Sequence, residues 1–112
     1  MATIKVLMKI TVQEGNDRPV ASAGADQAVN ETHTVTLDGT DSSDSDGNIT
    51  DYQWTQMSGP TVGLNNADQA KAAFAAPAVD GDDIELTFQL IVTDNDGLAS
   101  LPDVIQITVQ DI

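Results

Sequence analysis

The stretch Ile84-Glu85-Leu86-Thr87-Phe88-Gln89-Leu90-Ile91-Val92-Thr93 decides the fold class of this chain. Ile84, Leu86, Phe88, Leu90 and Val92 fall on one side of an extended backbone, and Glu85, Thr87, Gln89, Ile91 and Thr93 on the other. That period of two is expected of a strand with one buried face. Shorter versions follow in Val35 and Leu37 against Thr34, Thr36 and Asp38, in Tyr52 and Trp54 against Asp51, Gln53 and Thr55, and in Ile105, Ile107 and Val109 against Gln106, Thr108 and Gln110. Turn clusters separate them: Asp38-Gly39, Asp41 to Gly47, Ser58-Gly59-Pro60, Asp80 to Asp83 and Asp94 to Gly97. No segment carries a helical period. The alanine-rich stretch from Ala67 to Ala76 ends in Phe74, Ala76 and Pro77 and reads as a short edge strand. Short strands at this spacing predict an all-β, immunoglobulin-like antiparallel β-sandwich, with Trp54 as the buried tryptophan of its third long strand.

Length and composition agree. The 112 residues suffice for one domain and one modest two-layer core. The net charge is −14, from 18 acids against Lys5, Lys9, Arg18 and Lys71. Most of the acids are aspartates, which prefer turns, so the loops are acidic. A field of this sign repels phosphate backbones and anionic lipid and attracts divalent cations, which argues against nucleic-acid partners. Solubility at high salt is the plainer use of the same charge. With no apolar run of about 18 residues, membrane insertion is not expected. The absence of cysteine removes disulfides, zinc-thiolate sites and thiol nucleophiles, and leans towards a bacterial or archaeal origin.

Ile10-Thr11-Val12-Gln13 recurs near the other end as Ile107-Thr108-Val109-Gln110. A tandem array accounts for the echo: residues 1–18 are a strand and linker from a preceding module, or an extra edge strand, and residues 19–112 form one sandwich. Ile4, Val6, Met8, Ile10 and Val12 would make an apolar strand face that needs a sheet edge, so strand exchange in a homodimer is a further expectation.

The run Arg18-Pro19-Val20-Ala21, then Ala23-Gly24-Ala25-Asp26-Gln27, Val35-Thr36-Leu37-Asp38-Gly39, Ser43-Asp44-Ser45-Asp46-Gly47, Tyr52-Gln53-Trp54 and Leu90-Ile91-Val92-Thr93-Asp94-Asn95-Asp96-Gly97 resembles the polycystic kidney disease (PKD) domains. The likeness extends over about Asn16 to Val109. Many members carry Trp-Asp-Phe-Gly-Asp-Gly, whereas Trp54 is followed here by Thr55-Gln56-Met57-Ser58-Gly59-Pro60, as in a variant subgroup. The resemblance implies a non-catalytic spacer, adhesion or presentation module of a multidomain secreted or cell-surface protein, with neighbouring modules of the same chain as its first partners. It implies no reaction.

Two Asp-x-Asp-Gly tetrads stand out, Asp44-Ser45-Asp46-Gly47 and Asp94-Asn95-Asp96-Gly97. In an immunoglobulin-type sandwich their loops share one end, and the chain enters there with Asn16 and Asp17. Calcium takes six to eight oxygens, so Asp44, Asp46, Asp94, Asn16 and Asp17, with Asp96 in reserve, are candidate ligands whose ion would stiffen the joint. The resemblance points the same way, since some members bind calcium at this end. The alternative is that both tetrads are turns and nothing more. Neither is an EF-hand, because Ser42 and Gln53 would occupy its first and last ligand positions.

Catalysis is not expected. The one histidine, His33, has the inward phase of Val35 and Leu37 and reads as a packing residue rather than a base, and nothing in the sequence places a base within hydrogen-bond reach of a serine or threonine nucleophile. Carbohydrate binding, as an accessory module of a secreted hydrolase, is the stronger rival. It would require exposed aromatic faces, and the chain has only Tyr52, Trp54, Phe74 and Phe88. A protein or polysaccharide ligand thus remains an alternative to a pure spacer.

Overall fold

The computed structural model describes residues 17–111. The strand expected within residues 1–18, the homodimer built on it and the candidate ligand Asn16 therefore lie outside the described residues, apart from Asp17 and Arg18. Six strands follow in order: β1 Gln27–Asn30, β2 Thr34–Asp38, β3 Ile49–Ser58, β4 Lys71–Ala75, β5 Ile84–Asp94 and β6 Asp103–Gln110. Among the described residues no helix is long and apolar enough to cross a membrane.

The strands form two sheets, one of four strands in the order β1-β6-β5-β3 and one pairing β2 with β4. Antiparallel register sets Trp54 beside Leu90 and Phe88 beside Ile105, and Val35 beside Phe74 in the smaller sheet. The inward phase of β5 is buried at Leu86, Phe88, Leu90, Val92 and Asp94. Phe74 and Phe88 join the sheets, with ring centroids 5.0 Å apart and planes tilted by 33°, within the separations that aromatic pairs prefer. Trp54 is 3% exposed, and its indole N–H donates to the Gln69 carbonyl at 3.1 Å, so burial leaves no orphaned donor. The expected sandwich is thus the observed fold.

Two details differ from the sequence reading. β1 pairs in parallel with β6, Gln27 beside Ile107 and Val29 beside Val109; four residues with a single β-branched side chain carry too little alternation to announce a strand. His33 is exposed rather than packed. The turn through Thr32, at φ 64°, breaks the phase before β2 begins, so His33 reaches the opposite strand only through its backbone, whose carbonyl accepts the Ala76 N–H at 2.9 Å.

Phe88 is fully buried where the layers meet. Phe88→Ala is expected to remove about 3 to 5 kcal/mol of stability, a large share of what a domain of this size has, read as a fall in the urea midpoint with an unchanged m-value.

Candidate metal site

β5 ends in the turn Asp94 to Gly97. The Gly97 N–H donates to the Asp94 carbonyl at 3.0 Å, and Gly97 sits at φ 85°, a type I turn closed by a left-handed residue for which glycine is the natural choice. Inside this turn the Asp94 carboxylate is 1% exposed. Its Oδ1 accepts the backbone N–H groups of Asp96 at 3.0 Å and Leu98 at 2.9 Å. Asp94 is therefore a structural residue whatever else it does.

The second loop repeats the device more loosely, with Asp44 Oδ1 accepting the Asp46 N–H at 3.3 Å. What brings the two loops together is Asn95. Its side-chain oxygen accepts the Asn48 N–H at 2.9 Å, and its own N–H donates to the Asn48 carbonyl at 2.9 Å. Gly47 allows this approach: a Cβ there would come within 2.4 Å of Asn95 Oδ1 and 3.4 Å of Asp44 Oδ2. Neither Asn95 nor Asn48 figured among the expected site residues; the asparagine inside Asp94-Asn95-Asp96-Gly97 was the available signal.

Asp44, Asp46 and Asp94 each offer an oxygen within 4.8 Å of the others'. Asp17 joins them from the incoming chain, its N–H donating to Asp46 Oδ2 at 2.8 Å and its own carboxylate accepting from the Ser45 hydroxyl at 3.2 Å. Asp96 is exposed and stays outside the three-carboxylate cluster. Asp44 Oδ2 is buried with no hydrogen-bond partner among the described residues, the kind of atom that an ion or water satisfies. Burial first, then the adjoining Asp46 carboxylate, raises the Asp44 pKa above the usual aspartate value of 3.8, against the lowering effect of the Asp46 backbone N–H. A cluster of hard carboxylate oxygens suits calcium chemically.

Elsewhere the chemistry is sparse. An open cavity of about 330 Å³ is lined by Pro19, Val20, Leu101 and Pro102 with Arg18 and Asp103; it contains no nucleophile beside a base. Trp54, Phe74 and Phe88 are buried, and Tyr52 is half-buried against the core, so the aromatic surface open to a sugar is at most part of Tyr52.

Residues 23–109 match the family described as K319L-like, PKD domain. The chain is similar to the mouse dyslexia-associated protein KIAA0319 homolog, at 41% identity over 84% of this chain and 8% of that protein. It is also similar to human KIAA0319, at 37% identity over 85% of this chain and 9% of that protein. It spans less than a tenth of either relative. Among solved structures, the PKD domain from the KIAA 1837 protein superimposes with a TM-score of 0.69 at 30% identity, covering 89% of this chain and 93% of that one. These curated relatives are mammalian and lend nothing to the prokaryotic origin suggested by the missing cysteines.

Two outcomes follow from the loop geometry. Asp94→Ala strands two backbone N–H groups and is expected to lower stability by about 3 kcal/mol in chelator, measured by urea unfolding. Asp44→Asn acts in the opposite direction. Because the folded state holds the Asp44 pKa above its unfolded value, its ionised form opposes folding at pH 7, and that opposition is relieved as pH falls through the folded pKa. In chelator the variant should melt above the parent at pH 7, and the difference should vanish below about pH 3.8.

Proposed function

This chain belongs to the K319L-like PKD domain family, and from that premise we propose that it is a non-catalytic spacer or adhesion module of an extracellular or cell-surface protein, stiffened by calcium where it meets the preceding module. One observation carries the reading: three carboxylates and Asp17 converge where the incoming chain meets the sandwich, with Asp44 Oδ2 shielded and unbonded. Asp44, Asp46 and Asp94 would hold the ion from two loops of the sandwich, and Asp17 would tie the linker to the same charge. An ion there neutralises the repulsion among the acids and fixes the angle at which the linker leaves the domain. Neighbouring modules are the first partners in this reading, and the cavity bordered by Arg18, Val20 and Leu101, beside the first described residues, is the surface a preceding module would cover. Val20 and Leu101 are 63% and 70% exposed, which supports a covered rather than a free surface.

Calcium titrated into chelator-stripped chain should raise Tm. At about 100 times Kd the gain is about 2.7 kcal/mol, or roughly 10 °C or more for a domain of this size. Asp44→Asn and Asp46→Asn should fold normally by circular dichroism and lose most of that rise. No change in Tm at about 10 mM calcium, a concentration that reaches the weakest extracellular sites, would leave the tetrads as turns and overturn the stiffening.

A further inference from the structure

The chain contains four Asp-Gly pairs: Asp38-Gly39, Asp46-Gly47, Asp80-Gly81 and Asp96-Gly97. In such a pair the glycine nitrogen can attack the side-chain carbon of the aspartate before it, because no Cβ on the glycine obstructs the approach. The attack needs a free nitrogen, since a hydrogen-bonded N–H must first leave its acceptor. In three of the pairs it is held. Gly39 donates to the Ala70 carbonyl at 2.8 Å and Gly97 to the Asp94 carbonyl at 3.0 Å, and Gly81 donates to Asp111 Oδ2 at 3.0 Å. The Asp38 carboxylate is also pinned, with Oδ1 accepting the Thr40 N–H at 2.9 Å and its hydroxyl at 2.6 Å. Gly47 differs: among the described residues its N–H has no acceptor. Asp46 and Gly47 are both exposed and lie in a turn ahead of β3, outside any strand ladder.

We propose that Asp46-Gly47 is a site of spontaneous covalent modification, the conversion of Asp46 to isoaspartate, and that this conversion releases the incoming chain from the sandwich. In the first step a bond forms between the Gly47 nitrogen and Asp46 Cγ and a Cγ–O bond breaks. The oxygen leaves as water, carrying the amide proton and one proton from solvent, and a succinimide ring remains. Water then adds to the main-chain carbonyl carbon of the ring and breaks its bond to nitrogen. The chain now runs through Cβ and Cγ, a free α-carboxylate remains, and the proton returns to solvent. Nothing is oxidised or reduced, and the mass is unchanged. The product has a main chain longer by one methylene and a carboxylate moved to the α-carbon. Two contacts depend on the original path. Asp46 Oδ2 accepts the Asp17 N–H at 2.8 Å, and Gly47 packs so closely on Asn95 that a Cβ would come within 2.4 Å of Asn95 Oδ1. A lengthened loop cannot keep the bond to Asp17 while staying seated against Asn95.

The test is prolonged incubation of the full chain at neutral pH in chelator, which makes it independent of the calcium reading. Isoaspartate is labelled with an isoaspartyl-specific methyltransferase and located by electron-transfer fragmentation. Residue 46 should convert about fivefold or more faster than residues 38, 80 and 96, the factor that one backbone hydrogen bond represents. In urea the four pairs should convert at similar rates, because each has glycine as the attacking residue. The label at this position should be lost in Asp46→Glu, whose longer side chain closes a larger ring more slowly. In the modified fraction the Asp17 amide NMR signal should move, while those of Trp54 and Phe88 stay in place. Equal or slower conversion at residue 46, a preference for it that persists in urea, label retained in Asp46→Glu or an unmoved Asp17 signal would overturn the proposal.

Discussion

Everything distinctive about this domain depends on β5 being hydrogen-bonded on both flanks, to β3 and to β6. A strand held on two sides cannot slip by one residue without exposing Leu86, Phe88, Leu90 and Val92 and burying Glu85 and Gln89. Its inner phase supplies the core and its last residue, Asp94, the buried carboxylate of the acidic end. One ladder therefore couples the packing of the sandwich to the position of the candidate site.

At the acidic end, two carboxylates first serve to close their own turns. Asp94 Oδ1 is occupied in closing its own hairpin, and Asp44 Oδ1 in closing its own loop. Asp44 Oδ2 is the shielded oxygen that the turns do not use. Burial, and after it the nearness of Asp46 and Asp94, raises the Asp44 pKa. The clasp between Asn48 and Asn95 is neutral, so it holds two negatively charged loops together by hydrogen bonds alone.

The structural likeness to the KIAA 1837 PKD domain extends over nearly the whole of both chains, and the variant segment after Trp54 lies within this shared fold. That segment, Thr55 to Pro60, continues β3 to Ser58 and then turns, with the Gln56 side chain donating to the Pro60 carbonyl at 2.8 Å and accepting the Val62 N–H at 3.1 Å. A side-chain amide performs there the backbone closure that a tight turn would otherwise require.

By itself the sequence determined the class of the fold, the inward residues of β2, β3, β5 and β6, and the chemistry of the two tetrads, because alternation and turn preference are local properties of neighbouring residues. Only the tertiary structure decided the rest. Parallel pairing of β1 with β6 joins residues about eighty positions apart, and no local signal encodes it. His33 had the right phase for burial, but a left-handed Thr32 turned the chain before the sheet began. Of the five expected ligands among the described residues, the fold gathers Asp44, Asp46 and Asp94, with Asp17 alongside, and leaves Asp96 at the surface. That selection depends on the Asn48–Asn95 clasp and on the missing Cβ of Gly47, contacts between loops that meet only after the strands have paired.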